Sequence, residues 1–145
     1  VTIREAVRAD IPHLVVMGLH FVRSGDYAGH LDENPDALFD TMLRLIESGD
    51  ALLLVQGEDK PTGMIGALIF SHPLSHQTFF SELFWWVEPD HRGNGLALLR
   101  MAEKWATARG ASHSIMISPD ERVSRVYETL GYSLLETHYV KEFPE

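Results

Sequence analysis

Residues Leu83-Phe84-Trp85-Trp86-Val87 run without a polar interruption and stop at Glu88-Pro89. A strand that faced water on one side would alternate polar and apolar residues; this one predicts a strand, over residues 81–87, covered on both faces. Only a sheet with helices on each side covers a strand that way. The run is followed at once by Asp90-His91-Arg92-Gly93-Asn94-Gly95 and then by an amphipathic segment, residues 95–109, in which Leu98, Met101, Ala102, Trp105 and Ala108 form one stripe. Gly110 supplies its stop. A buried strand, a glycine turn and a helix therefore fix the class as α/β.

The other elements fit around that unit. Residues 2–7 predict a short strand, and Asp10 caps a helix carrying Ile11, Leu14, Val15, Gly18 and Leu19, with Pro12 in its first turn. Residues 23–30 hold two glycines and no periodicity, which predicts a loop. Asn34-Pro35 opens a second helix, with Leu38, Phe39, Met42, Leu43 and Ile46 at helical spacing and Gly49 as its end. Strands over residues 51–56 and 64–71 flank a turn-rich connection, residues 57–63, and residues 71–76 form a second loop. Residues 114–117 predict a strand. Ser118-Pro119-Asp120-Glu121 reads as a capping box with proline at the first helical position, and Gly131 closes that helix. Residues 132–143 predict a last strand or bent strand pair. The order is β-α-α-β-β-β-α-β-α-β, a mixed sheet in one domain spanning residues 1–145.

Composition excludes several functions. No cysteine is present, which removes disulfides, thiolate metal sites and cysteine nucleophiles. The longest apolar stretch, residues 64–70, falls far short of the ~20 residues that span a bilayer. Residues 1–5 lack the basic-then-apolar order of a secretory signal, so a soluble, cytoplasmic protein is expected, with no membrane partner. The net charge of −9 offers no basic footprint for nucleic acid. Seven carboxylates between Asp26 and Asp50 face one base, Arg44. They form either a solvated helix face with its caps or a negative rim that draws a cationic ligand.

The glycine turn suits a pyrophosphate. Glycines let backbone amides approach a ligand, a helix start has unpaired N–H groups, and Arg92 adds a fixed charge. It is no Walker loop, since no Gly-Lys-Ser/Thr follows, and it lacks the third glycine of a dinucleotide fingerprint. Arg92-Gly93-Asn94-Gly95-Leu96-Ala97 resembles the Arg/Gln-x-x-Gly-x-Gly/Ala signature of the GNAT superfamily of N-acetyltransferases, with Val87-Glu88-Pro89 as its approach. Arg125-Val126-Tyr127-Glu128-Thr129-Leu130-Gly131-Tyr132 resembles the second landmark of that superfamily, in the same order and spacing, and the element order follows the family from end to end.

The resemblance implies an acyl-CoA N-acyltransferase fold with splayed central strands and helices on both faces. It implies acetyl-CoA as co-substrate, held by the amides of Arg92, Gly93, Asn94, Gly95, Leu96 and Ala97 and by the backbone of Trp85, Trp86 and Val87. Tyr127 falls where the family keeps the tyrosine that protonates the departing thiolate; otherwise it is a packed helix aromatic beside Val123, Val126 and Leu130. Seven residues before it, where asparagine often contacts the coenzyme, stands Asp120, whose charge suits a helix cap better than a polyanion. Ala97 is an accepted variant of the usual glycine.

An alkylammonium of pKa ~10 must lose a proton before attack, at about 4 kcal/mol near neutral pH. Glu82 stands where family members often keep a carboxylate; it is either that base or a solvent-facing or salt-bridged strand residue. Among eight histidines, His30, His72, His76 and His138 are weaker rivals, and His91 fits packing against the turn. No histidine pair has metal-ligand spacing, so no metal is expected. No Gly-x-Ser-x-Gly elbow is present, which removes a serine hydrolase.

The reaction implied is transfer of acetyl from acetyl-CoA to a primary amine, small molecule or peptide, with a slight tilt to a cationic acceptor. Tyr27, His30, Asp32, His72 and Tyr139 lie in the segments that build acceptor pockets in this family. The alternative is a non-catalytic acyl-CoA-binding or interaction module on the same fold. Monomer and homodimer are equally compatible with the sequence.

Overall fold

A computed structural model describes residues 1–145. Five strands, β1 (Ile3–Glu5), β2 (Ala51–Gln56), β3 (Gly63–Ser71), β4 (Thr78–Val87) and β5 (His113–Ile115), lie side by side in chain order. The first four pair antiparallel and β5 joins β4 in parallel. The helices are α1 (Ile11–Ser24), α2 (Pro35–Glu47), α3 (Gly95–Ala108) and α4 (Glu121–Thr129). Leu14, Met17, Met42 and Leu45 of α1 and α2 pack with Leu53, Val55 and Met64 on one face of the sheet. Leu98, Ala102 and Ala106 of α3 pack with Leu52, Leu54, Ile65 and Phe80 on the other. The mixed α/β architecture is the expected one, but β4 is not covered on both faces throughout: of residues 83–87 only Val87 is buried, Leu83 is exposed and Phe84, Trp85 and Trp86 are half-buried.

Two features of β4 position the site. Gly66 pairs with Phe84 but Ala67 pairs with Glu82, so Leu83 is an extra residue, a β-bulge. The bulge reverses the phase of the strand. Phe80 before it and Trp85 and Val87 after it pack on the α3 face, while Phe84 and Trp86 pack on the α1 face. Gly66 is needed there, because a Cβ on it would sit 2.3 Å from Phe84 Cζ. The second feature is the shortness of β5. It pairs only through Phe79–His113, Phe80–Ser114 and Ser81–Ile115, so residues 82–87 have no strand partner on that edge. β4 and the edge strand β5 therefore part at Glu82, so the expected splay lies at the edge of the sheet and not at its centre.

Three further expectations are corrected. Residues 132–143 form no strand; Leu134, Leu135, Tyr139, Val140 and Phe143 are exposed. Their apolar residues come as adjacent pairs, 134/135 and 139/140, rather than at alternate positions, so the segment has no single apolar strand face to turn toward the core. The cap of α4 is Asp120 rather than Ser118: its carboxylate accepts from Val123 N at 2.9 Å, while the Ser118 hydroxyl donates to Asp120 O. Asp10 precedes α1 but makes no side-chain cap there.

Asp10 instead closes a tie between β1 and α1. Its carboxylate accepts from Arg4 Nη1 at 2.7 Å and Nη2 at 2.9 Å, and from Val7 N at 2.8 Å. The Arg4 hydrogen bonds hold this buried carboxyl below its ordinary pKa. Its stabilisation is present above that ordinary value and is lost as pH falls through the lowered one. Asp10→Ala removes the carboxylate from Arg4, which keeps its bond to Glu58 O, and is expected to cost about 2 kcal/mol at pH 7. Urea denaturation of both proteins at pH 7 and pH 3 checks this, the gap narrowing at the lower pH.

Candidate active site

The turn after β4 pairs its first amides and leaves those of Gly93 and Asn94 free. Pro89–His91 form one turn of 3-10 helix, and the buried Gln56 side chain donates to His91 O at 3.3 Å, fixing the turn to β2. Gly93 has φ +121°, a backbone shape that side chains resist, and no neighbour within 4 Å of where a Cβ would stand. Asn94 precedes α3 without a side-chain cap, so the amides of Gly93 and Asn94 meet no acceptor within the chain. Gly95 and Leu96 begin α3 and add two further unpaired donors, while the Ala97 amide closes the first turn on Asn94 O at 3.0 Å. The free amides form a cradle at the positive end of a helix dipole, which fits a pyrophosphate.

Arg92 does not extend freely from the turn. Its Nε donates to Val87 O at 3.0 Å and its guanidinium lies over the Trp86 ring at 4.9 Å. Trp86 Nε1 donates to Glu88 Oε1, which also meets His20 Nδ1 at 2.8 Å, so α1, the end of β4 and the turn are held together. His20 and Gln56 were not singled out by sequence. Each acts through a tertiary partner and carries no local signature.

Glu82 and Tyr127 meet at the parting of β4 and β5. Glu82 is 7 % exposed and its Oε1 accepts from Ile117 N at 3.2 Å. The Tyr127 hydroxyl donates to Ile117 O at 3.0 Å. One residue's backbone thus bridges both side chains. Burial pushes the Glu82 carboxyl up to about 7, with the Ile117 amide and Tyr127 opposing it weakly. Burial first, then the charge of Glu82, drives the Tyr127 phenol well above its ordinary range. The Tyr127 ring is packed between Trp85, centroid distance 6.2 Å, and Tyr132, 5.4 Å. Tyr132 in turn donates to Glu103 Oε2 at 2.9 Å.

The remaining candidates scatter. Tyr27 packs 5.9 Å from Phe21 beside an apolar cavity on the α1 face. His30 is exposed and lies 3.4 Å from Glu142, and Asp32 is exposed in the same loop. His72 packs at a tilt against Phe79, centroid distance 4.6 Å, about 10 Å of strand before Glu82. Tyr139 is 95 % exposed and gathers with none of the others. Asp120 spends its carboxylate on the cap of α4, so it offers no support to a module that binds without reacting.

A model of the Acetyltransferase (GNAT) family matches residues 19–132, more than half of the sequence and including both the turn and Tyr127. The chain belongs to the GNAT acetyltransferase family. It is an acetyl-CoA-dependent N-acetyltransferase. No curated protein matches it by sequence. Among solved structures, this GNAT chain is similar to glucosamine-6-phosphate N-acetyltransferase from Arabidopsis thaliana, with TM-score 0.76 and 16% identity over 99% of this chain and 98% of that one. It is similar to ribosomal-protein-alanine N-acetyltransferase from Brucella melitensis biovar Abortus 2308, with TM-score 0.72 and 18% identity over 99% and 100%. It also resembles AAC(6')-Iy in complex with the bisubstrate analogue CoA-S-monomethyl-acetylneamine, with TM-score 0.71 and 20% identity over 99% and 97%. At these identities the structures share the GNAT fold. No helix of this acetyltransferase is long and apolar enough to cross a membrane.

Proposed function

We propose that this acetyltransferase moves the acetyl group of acetyl-CoA to a primary amine by direct attack in a ternary complex. The observation that carries the reading is the junction of Glu82, Ile117 and Tyr127 where β4 and β5 part. The amides of Gly93, Asn94, Gly95 and Leu96 hold the pyrophosphate, and the unpartnered edge of residues 82–87 takes the pantetheine arm as a strand would be taken. Backbone N–H groups of that edge polarise the thioester carbonyl.

Two protons leave the nitrogen of an arriving ammonium. Glu82 accepts the first, being a carboxylate with a pKa near 7. The second ends on sulfur. The Tyr127 phenol is far weaker as an acid than a thiol of pKa ~8.5, so its hydroxyl turns from Ile117 O to the departing sulfur as a hydrogen-bond donor and steadies the charge until that proton arrives. The acidic segment from Asp26 to Asp50 favours the approach of a cationic amine.

Calorimetric titration with acetyl-CoA, with dephospho-CoA and NAD as comparators, tests the coenzyme site. Micromolar binding of acetyl-CoA is expected. Arg92→Ala is expected to weaken it about tenfold, through the lost charge and through the turn released from Val87 O. An amine panel with detection of free thiol tests transfer. Tight acetyl-CoA binding with no amine-dependent thiol release would overturn the proposed reaction.

A further inference from the structure

We infer that the acceptor is an amine bearing a compact apolar group, aromatic or branched-aliphatic, which fills the cavity between α1, α2 and the bulged part of β4. The inference rests on the acetyl-transfer reading and names the substrate class for the same site. The cavity has a volume of about 250 Å³. Phe21, Val22, Leu38, Leu83 and Phe84 form much of its wall, and no charged residue lines it. An apolar cavity of about 150 Å³ is enough to take up benzene, so a phenyl or isobutyl group fits here.

The cavity is open to solvent. Tyr27 is 40 % exposed, Leu31 51 % and Leu83 38 %, which leaves apolar wall facing water until something covers it. Its place in the fold supplies the link to chemistry. Leu83 and Phe84 of its wall follow Glu82 directly in β4, and the pairing of β4 with β5 ends just before Glu82. The bulge turns Phe84 toward the cavity while Glu82 and Trp85 remain on the α3 face, and Gly66 gives the Phe84 ring its seat.

An amine lying where that pairing ends presents nitrogen to Glu82 and its carbon body to the cavity. Asp26 and Asp32 flank Tyr27 and Leu31 in the loop at the mouth, so the rim attracts the ammonium and the interior takes the apolar part. A polyamine or a sugar amine would leave that interior either empty or lined against hydroxyls and charges it cannot satisfy.

The test compares 2-phenylethylamine and 3-methylbutylamine with ethanolamine and putrescine, using acetyl-CoA, thiol detection and the full chain. A kcat/KM advantage of about tenfold or more for the apolar amines is expected, carried mainly by KM. Leu31→Asn and Leu83→Asn, both at exposed positions, are expected to shrink that advantage by raising KM for 2-phenylethylamine, with acetyl-CoA affinity measured on each variant to confirm folding. Saturation-transfer NMR with 2-phenylethylamine and coenzyme A gives a readout of binding without turnover. Equal or better use of ethanolamine or putrescine overturns the apolar acceptor and leaves acetyl transfer standing. Binding of 2-phenylethylamine that the two variants weaken, without thiol release from any amine, supports the cavity and overturns acetyl transfer. No binding and no transfer overturns both.

Discussion

Glu82→Gln is expected to lower kcat/KM for a primary amine by about 10²- to 10³-fold while acetyl-CoA affinity stays within about twofold. The amide keeps the shape of the side chain and can still accept from Ile117 N, so the loss isolates the proton acceptor. In the wild type, kcat/KM should rise with pH as Glu82 ionises and level off above about 7. In the variant no protein group takes the proton, and the rate should follow the neutral fraction of the amine, climbing toward its pKa of ~10. A wild-type profile without the inflection near 7, or a variant that keeps it, removes Glu82 from proton transfer.

The same substitution has an opposite effect on stability. Burial raises the Glu82 carboxyl from its ordinary 4.5 to about 7, so the folded state favours the protonated form. The associated stability is fully present below 4.5 and is lost as pH rises to about 7. At ~1.4 kcal/mol for each pH unit that loss is roughly 3 kcal/mol, and Glu82→Gln avoids it. Thermal melts should show the variant more stable at pH 8 and the difference fading toward pH 4. A group that costs the fold stability at working pH and restores it when removed is what a site built for reaction looks like.

Tyr127→Phe is expected to reduce kcat about 10- to 100-fold with little change in acetyl-CoA affinity. The ring stays packed between Trp85 and Tyr132, and only the hydroxyl is lost. Its bond to Ile117 O at 3.0 Å goes with it, at about 1 kcal/mol of stability. Because the wild-type phenol stays protonated across the accessible range, the pH profile of the variant should keep its inflection near 7, set by Glu82, at a lower plateau. Amines with the same pKa but thioesters with more acidic thiols should recover part of the loss, since a better leaving group needs less help from a donor. Unchanged kcat would make Tyr127 a packing residue only.

Much of this was readable along the chain because it depends on neighbours in sequence. The apolar run of β4, the stripe of α3 and the caps at Asn34 and Asp120 are local patterns with local causes. Even there, the competition between Ser118 and Asp120 for the start of α4 was settled by which oxygen could reach Val123 N. The free amides of the turn follow from Gly93, whose positive φ no other residue at that point would adopt readily. Glu82 and Tyr127 could be nominated as a pair, but neither role could be told from packing.

The sequence by itself determined the α/β class, the order of all elements through α4, the glycine turn and the residue types offered to a coenzyme. Tertiary structure decided the rest. The bulge at Leu83 sets which side chains of β4 share a face, and it exists only in register with Gly66 on another strand. Burial where β4 and β5 part raises the pKa of Glu82 against the opposing amide of Ile117, 35 positions away, and residues 132–143 stay out of the sheet. Periodicity and capping are short-range effects and can be read in a line; dielectric, register and cover are properties of what distant segments bring to one place.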